Sequence, residues 1–534
     1  VPVGSCTAPY KPLADGCKLL FVPKLDVVVQ RRVGSVLFDF PDLEVEYGLH
    51  HYTVEEEVRT LHNRHLFATP VPDASSREFK LLKKVLVRFA KKLGFCSRAP
   101  LSTLVQGRSG RRRARFFQGV KEWMNEGVER KHARLSEMQK LEFYETTKIA
   151  GKEDRGIQYR SVRYNAELAT HLHNVEAKVC GYHGKGGYHV AKGKTPQQRC
   201  INFFKQLSRF KDPIVVNGDH HRFDAHLHYL LVLLEHMVYK ICRKYKRRLV
   251  ELLKWQLVSY GISKGGVRYR IRGKRASGDI NTGCGNSVIN IGLIEAWAES
   301  VGLTEDDYDF TVDGDDFYII IERAKRALLA TLVPFMLKCG MVTEIVVEDD
   351  PFKSEFCQSR PVVLPGGPTF VRNPMKVLAT LGRSPEGRTR SQLQQSVRAS
   401  CLCEMAMAPG SPVNSVVARK VYKLLGANGK AAFNPAQAWK FEQYGMTEFE
   451  ENDVEPDWLA RYTFWRAWGI DDGEQHHLES MSPRMSALNK ERLTNAKSEL
   501  HHMEAENLGV VDPVCECGDC PTFDLEHLEV ERWL

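Results

Sequence analysis

An α+β fold is what the sequence predicts, an antiparallel sheet flanked by helices and followed by a helical C-terminal third, and three patterns predict it. Tyr308, Phe310 and Val312 alternate with polar residues, Asp313-Gly314-Asp315-Asp316 interrupts, and an apolar run resumes from Phe317 to Ile321, which makes a β-hairpin with carboxylates at its tip. The apolar run Ile214 to Val216 ends at Asn217-Gly218-Asp219, and Leu227, Leu230, Leu231, Leu234, Met237, Val238 and Ile241 come next at helical spacing, so a buried strand, a turn and a helix are expected. Beyond residue 390, helical periodicity returns over Ser391 to Met407, Val416 to Leu425 and Glu455 to Ile470.

Taken in chain order, residues 1 to about 95 mix short apolar runs (Leu19 to Val22, Val27 to Val29, Val36 to Phe38) with a polar stretch, His62 to Arg77, that reads as a linker. No chemistry attaches to this segment. Glu78 to Leu93 has the apolar spacing of a helix. Gly107 to Arg115 then sets Arg108, Arg111, Arg112, Arg113 and Arg115 beside glycines, which reads as a mobile loop suited to gripping phosphates. In the last third, Trp458, Tyr462, Phe464, Trp465 and Trp468 form a stripe at helical spacing; core packing is preferred there over stacking on a nucleotide or template base. Without internal repeats or low-complexity tracts, the chain reads as one body of several parts.

Composition bounds the possibilities. With 534 residues, 43% hydrophobic and 27% charged, the chain can bury a large core and is neither fibrous nor broadly disordered. Its net charge of +10 is unevenly spread, basic between Arg77 and Lys131 and acidic between Glu448 and Asp457, as suits a polyanion passing one side. Fourteen scattered cysteines, Cys96, Cys180, Cys242 and Cys339 among them, lack disulfide-framework spacing and point to a reducing compartment. The start, Val1-Pro2-Val3, has neither an initiator methionine nor a charged-then-apolar leader and reads as processed. No apolar run approaches the roughly 18 residues of a membrane span, so membrane residence needs another segment or a partner.

Three segments carry the chemistry: Asp219 to Asp224, Ser277 to Asn286, and Asp313 to Asp316. An Asp-Asp turn alone says little, because surface turns favour Asp and Gly anyway. The apolar hairpin around it and the other two segments, in this order, change that. Phosphoryl transfer uses two divalent ions roughly 3.5 to 4 Å apart, one activating the attacking hydroxyl and one stabilising the leaving oxygen. Asp219 at one strand end and Asp315 at a hairpin tip would meet at one edge if those strands pair. Hard oxygen donors favour magnesium, with manganese as the alternative.

These residues resemble the palm motifs of viral RNA-dependent RNA polymerases, in particular the tombusvirus-like group of positive-strand RNA viruses. The resemblance runs from about Val105 to Val363. Asp219 and Asp224 are spaced as the aspartates of motif A, Ser277-Gly278 with Asp279, Thr282 and Asn286 reads as motif B, and Gly314-Asp315-Asp316 as motif C. Gly107 to Trp123 is similar to the basic motif G, Lys148 to Asn165 to motif F, and Glu355 to Pro361 to motif E.

The resemblance implies a right-hand polymerase of the α+β class: an N-terminal extension packing on fingers and thumb (1–95), fingers with motifs G and F (96–211), palm with motif A (212–232), a fingers insertion (233–272), palm with motifs B to E (273–365), and a helical thumb with C-terminal tail (366–534). It implies replication of a positive-strand viral RNA genome from ribonucleoside triphosphates, by two-metal nucleotidyl transfer and without a primer. Asp219 and Asp315 become the metal ligands, with Asp316 in support. Asp224 and Asn286 would meet near the ribose 2′-hydroxyl, supported by Ser277 and Thr282. Lys148, Lys152, Arg155 and Arg160 would roof the triphosphate, the guanidinium forks binding phosphate oxygens in pairs. Arg108, Arg111, Arg112, Arg113 and Arg115 would hold template RNA, and Cys357, Gln358 and Ser359 would lie beside the priming nucleotide. Expected partners are template and nascent RNA, a viral replication protein supplying membrane attachment in the host cytoplasm, and further copies of the chain.

Departures matter too. Small residues usually come after the first motif A aspartate, whereas His220 and His221 stand here; histidines satisfied by hydrogen bonds are preferred over a metal or proton role. Motif D usually supplies a lysine as general acid, but Gly340 to Ile345 has none, leaving Lys338, Lys353 or water. Cys515, Cys517 and Cys520 could bind zinc with His527, His501 or His502, although one tight cluster is less than the two ligand pairs structural zinc sites show. The rivals are a reverse transcriptase or DNA polymerase sharing the palm, and an RNA-binding scaffold without turnover.

Overall fold

The computed structural model describes residues 1–486 apart from 44, 109, 427–428, 435–436 and 439–452; the side chain of Arg111 is also outside the description. Nine strands position the site: β1 (Lys18–Phe21), β2 (Leu135–Gln139), β3 (Gly156–Tyr159), β4 (Pro213–His220), β5 (Val258–Ser263), β6 (Arg268–Arg272), β7 (Tyr308–Asp313), β8 (Asp316–Glu322) and β9 (Thr343–Glu348). They build a five-stranded sheet in the order β3-β2-β5-β6-β1 and a four-stranded antiparallel sheet in the order β7-β8-β4-β9.

The four-stranded sheet is buried on both faces, which is why Ile214-Val215-Val216 is continuously apolar instead of alternating. Ile214 and Val216, with Phe310, Phe317 and Ile319, face the largest core, where Trp297 and Leu86 also lie. Val215, Tyr318 and Ile320 face a second core built on Phe203 and Phe204 of helix Pro196–Leu207. Full burial of each large side chain contributes about 1.5 to 3 kcal/mol, so this sheet is a rigid platform. Gly218 is required in its centre, because a Cβ there would stand 1.9 Å from the Phe317 ring.

Helix α1 (Arg77–Leu93) starts at Ser76, whose side chain accepts from the Phe79 amide, and buries Phe79, Leu82, Val85, Leu86 and Phe89 against α2 (Tyr229–Cys242) and α3 (Thr282–Ser300). The C-terminal helices Arg390–Met407, Asn414–Leu424 and Trp458–Trp468 form a separate core that also takes Leu37, Phe38 and Phe40 from the N-terminal segment. Short pairings repeat that link, Val36 with Arg383 and Phe38 with Met485.

Three expectations are corrected. His62 to Arg77 is only in part a linker: Leu61–His65 continues helix Val54–Thr60 as a wide turn, and Asn63 uses its amide to accept from Lys11 N (2.8 Å) and donate to Pro9 O (3.0 Å). Its polarity serves a neighbouring backbone. The arginines after Gly110 lie on helix Gly110–Glu126, not in a loop, since Arg and Ala are good helix formers once the glycine is passed. The C-terminal aromatic stripe is divided: Phe464 is buried, whereas Trp458 is 76% and Trp465 46% exposed, because the helix packs on strand Ser359–Leu364 through the Phe464 side and carries the two indoles at the surface.

Candidate active site

Backbone pairing brings the carboxylates together. Gly218 opposes Phe317, which brings the strand ends that carry Asp219 and Asp316 side by side, and Asp219 is paired on its other side with Glu344. Asp313 opposes Asp316 in a two-residue hairpin whose first turn position, Gly314, has φ +65°, a conformation glycine adopts without strain. Helix α3 fastens this tip: Asn290 Nδ2 donates to the carbonyls of Gly314 (3.1 Å) and Asp315 (3.2 Å), and Ser287 Oγ accepts from Gly314 N (3.1 Å). Of the two unexpected histidines, His220 is buried and serves this scaffold. Its Nε2 meets Asn290 Oδ1 at 3.1 Å, which calls for the proton on that nitrogen and leaves Nδ1 to accept from Thr343 Oγ1 at 2.8 Å. Burial lowers its pKa to about 4, so it is neutral near pH 7. His221 is exposed.

Electrostatics at the tip are unfavourable by construction. Asp315 reaches solvent but sits among crowded protein, and that desolvation, then Asp224, Asp219 and Asp313, raises its pKa to about 6. Desolvation, then Asp315, Asp313 and Asp219, raises Asp316 to about 7. Asp219 is also raised, by burial and by Glu344, with His221 and Lys152 opposing. Such mutually repelling oxygen donors suit a hard divalent cation, which would relieve the repulsion. Among the described residues, however, no three His, Cys, Asp or Glu side chains form a ready-made metal cage, so gathering an ion would require side-chain rotation.

Asp313, unlike the other three, has a cationic partner of its own. Arg199 Nη1 lies 2.7 Å from its Oδ2, and Cys357 Sγ 3.6 Å from the same atom. Cys357 and Gln358 have φ of 52° and 59°, left-handed conformations uncommon outside glycine, and this turn presents the thiol to the hairpin. Gln358 accepts from Lys376 Nζ at 2.8 Å, and Ser359 Oγ donates to Cys357 O at 3.5 Å. A pocket lined by Asp313, Cys357, Ser359, Arg372, Glu404 and Met407 adjoins the tip.

Asp224 and Asn286 are hydrogen-bonded, Asn286 Nδ2 donating to Asp224 Oδ1 at 2.9 Å. The amide cannot flip freely, because Arg275 Nε donates to its oxygen at 3.1 Å. Arg275 pairs in turn with buried Glu235, which also accepts from Tyr239 Oη (2.8 Å) and Asn281 Nδ2 (2.8 Å). Gln256 links Asn281 to His236. Sequence reasoning missed Arg275 and Glu235, although a carboxylate amid Leu231, Val232, Leu234 and Val238 was a usable signal. Ser277 Oγ accepts from Gln158 N (3.2 Å) and Thr282 Oγ1 donates to Ala276 O (2.9 Å), so both hydroxyls brace the loop and not the Asp224–Asn286 pair.

The basic residues divide. Arg160 is buried, its guanidinium forked on Asp279 (2.6 and 3.4 Å) and donating to Ser259 (3.0 Å). It is not presented to the carboxylates. Arg155 is exposed with Glu142 at 3.4 Å, Lys148 is exposed with Glu145 at 2.5 Å, and exposed Lys152 lies close enough to Asp219 to oppose its raised pKa. Lys152 itself is lowered by burial and by Arg64 and Arg155. The N-terminal segment sets this strip: Arg32 Nη1 is 2.6 Å from Asp154 Oδ2, and Asp154 Oδ1 accepts from the Arg155 amide at 3.2 Å. Of the arginines expected on template, Arg108 is buried over the Phe116 ring at 3.5 Å, Arg112 and Arg115 are half-buried, and Arg113 is exposed. Of the lysines considered for motif D, Lys338 ends helix Leu332–Lys338, where its carbonyl accepts from Asp73 N. Cys515, Cys517, Cys520 and their histidine partners lie outside the described residues.

Comparison with known proteins gives a consistent answer. Residues 30–489 match the family described as viral RNA dependent RNA polymerase. The chain is 26% identical over 471 residues to the RNA-directed RNA polymerase of Tobacco necrosis virus (strain D), covering 84% of this chain and 64% of the relative. It is 26% identical over 453 residues to that of Carnation mottle virus (81% and 58%), and 30% identical over 385 residues to that of Melon necrotic spot virus (70% and 48%). The chain thus spans about half to two-thirds of the length of these relatives.

Proposed function

The chain belongs to the viral RNA-dependent RNA polymerase family, with tombusvirus-like relatives, and from that premise we propose that it extends RNA on an RNA template by transferring nucleotides from ribonucleoside triphosphates. The observation that carries this reading is that the strand ends bearing Asp219 and Asp316 lie side by side, Gly218 opposite Phe317, with Asp315 at the tip close enough to Asp219 and Asp224 for their charges to raise its pKa, and Asp224 bonded to Asn286. The four-stranded sheet serves as palm, the five-stranded sheet and the helices packed near it as fingers, and the C-terminal helices as thumb.

Asp219 and Asp315, with Asp316 in support, would hold two Mg²⁺ or Mn²⁺ ions, which when bound activate the 3′-hydroxyl and neutralise charge on the leaving pyrophosphate. The chain's own residues orient the reactants. Asp224 and Asn286 recognise the ribose 2′-hydroxyl, with Arg275 holding the amide in register. Lys148, Lys152 and Arg155 receive the triphosphate, their charge opposing that of the phosphates. Arg160 acts one layer behind, holding Asp279 and so the motif B loop. Cys357 and Ser359 border the pocket where a priming nucleotide or the RNA 3′ end would sit, and Gln358, between them, is held by Lys376. Initiation without a primer is proposed on the family likeness alone.

Among the described residues no helix is long and apolar enough to cross a membrane. Attachment through a separate viral replication protein in the host cytoplasm is proposed on the family likeness alone. Single-nucleotide incorporation on a defined RNA template, in Mg²⁺ and then Mn²⁺, tests the function. Template-matched ribonucleotide addition by the native chain that disappears in Asp315→Ala is expected. Native preference for deoxynucleotides would assign a reverse transcriptase instead.

A further inference from the structure

The outward face of the five-stranded sheet carries a feature that neither the catalytic reading nor the motifs absorb. Alternation along Arg268-Tyr269-Arg270-Ile271-Arg272 buries Tyr269 and Ile271 with Val54, Leu61 and Leu135, and turns all three arginines to the opposite side. Register sets rings, an aliphatic side chain and a further cation beside them: Tyr260 opposes Arg270 and Ile262 opposes Arg268 on one flank, while Lys18 opposes Arg270 and Phe21 opposes Arg268 on the other. Tyr260 is 47% and Phe21 55% exposed, unusually open for rings on a sheet. Arg268 is the loosest of the three, 5.9 Å from the Phe21 ring, whereas Arg270 donates to Gly16 O (2.8 Å) and Arg272 meets exposed Asp15 (3.3 Å) and lies 4.8 Å from the Tyr229 ring.

The same row continues to the active site. Ile262 neighbours Ser136, which opposes Tyr159 on β3, and the adjoining Gln158 is bonded through its backbone to Ser277 and Gly278. Four inter-strand gaps make a path roughly 19 Å wide from the motif B loop to the edge strand.

Resting on the polymerase reading, we infer that this face is a platform for single-stranded RNA, the unpaired template ahead of the templating base, with bases stacking on Tyr260 and Phe21 and phosphates meeting Lys18, Arg268 and Arg270. Charge complementarity and sequence-tolerant stacking favour this occupant: a sheet offering alternating rings and cations fits flexible bases and regular phosphates together. Phe21 and Lys18 come from the N-terminal segment, which thereby gains a role in substrate binding.

The test uses primer–template RNAs with 5′ overhangs of one or eight template nucleotides, measured by fluorescence anisotropy and single-nucleotide incorporation at low and high salt. Tyr260→Ala and Phe21→Ala are each expected to weaken binding of the long overhang about tenfold, and Arg268→Ala to lessen its salt dependence, while the short overhang is bound and extended as by the native chain. All three side chains are at the surface, and unchanged melting confirms folding. Equal binding of both overhangs by native and variant proteins overturns the platform while native incorporation still stands. Absence of incorporation on either RNA overturns the polymerase reading itself. Variants that lose affinity for anionic lipid vesicles but not for the long overhang would assign the face to a membrane and overturn RNA as its occupant.

Discussion

Charged side chains are handled in opposite ways in two parts of this molecule. Behind the five-stranded sheet, Arg160 with Asp279 and Arg32 with Asp154 are buried, close and bonded to additional acceptors, so their charges cancel. At the hairpin tip, Asp219, Asp315 and Asp316 lie at one edge with no cation of their own among the described residues, and desolvation by the surrounding protein, then neighbouring carboxylates, raises the proton affinity of each. Dry pairs fix geometry and advertise nothing, whereas unpaired carboxylates hold charge ready for an incoming cation at the expense of stability.

Breaking this contrast should have graded effects. The largest is expected from Asp315→Asn, which should lower single-nucleotide incorporation by roughly a thousandfold or more while leaving the melting temperature of metal-free protein unchanged or higher. A fall in melting with activity retained would make the carboxylate a structural group. Arg160→Ala inverts the pattern. It strands Asp279 in a buried site, and a loss of about 3 to 5 kcal/mol is expected, read as a lower urea midpoint.

His236 sharpens the comparison through pH. Burial lowers its pKa to about 4, below the roughly 6.5 of an unfolded imidazole, so the folded chain binds fewer protons in that interval. Stability should therefore be complete above pH 6.5 and fall by up to about 3 kcal/mol on acidification to pH 4. His236→Gln should flatten that limb of the pH–stability curve. Smaller effects belong to the site itself: Asn286→Ala or Asp224→Ala should reduce discrimination between ribo- and deoxynucleotides by roughly ten- to a hundredfold, seen in competing incorporation. Smallest for the fold is Arg155→Ala, whose exposed pairing with Glu142 predicts a stability change within about 1 kcal/mol, even as the KM for nucleotide rises.

What could be read from the sequence was what local pattern encodes. Alternation around Asp313 to Asp316 specified a hairpin because register and turn chemistry agree within fourteen residues, Tyr308 to Ile321. The α1 helix was readable from its apolar period, whereas the juxtaposition of Asp224 with Asn286, 62 residues apart, was implied only by the family resemblance. Distance in sequence hid the rest. Arg160 looked like a free phosphate ligand because Asp279, its partner, lies 119 residues away. The arginines after Gly110 looked like a loop because the flanking glycines outweighed the helix propensity of the residues from Arg111 to Glu126. Trp458 and Trp465 looked buried because a periodic stripe does not reveal whether another element packs on it. The N-terminal strands, two to four residues long, carry too little pattern to announce partners several hundred residues on.

Those short strands have a mechanical consequence. Phe21 is zipped to β6 and Ser35 to Ser384, and between them Arg32 is held in the dry by Asp154, so only the three residue steps from Arg32 to Ser35 are a free leash between two parts of the chain, with a fully extended reach of at most roughly 11 Å. Val28 and Gln30 are tied down as well, pairing with Thr53 and Tyr52. Small breathing of the two bodies draws only on what remains. Wider separation must first unfasten two-residue ladders and pull Phe38 from its pocket, which makes that ring the latch that decides how far the molecule can open.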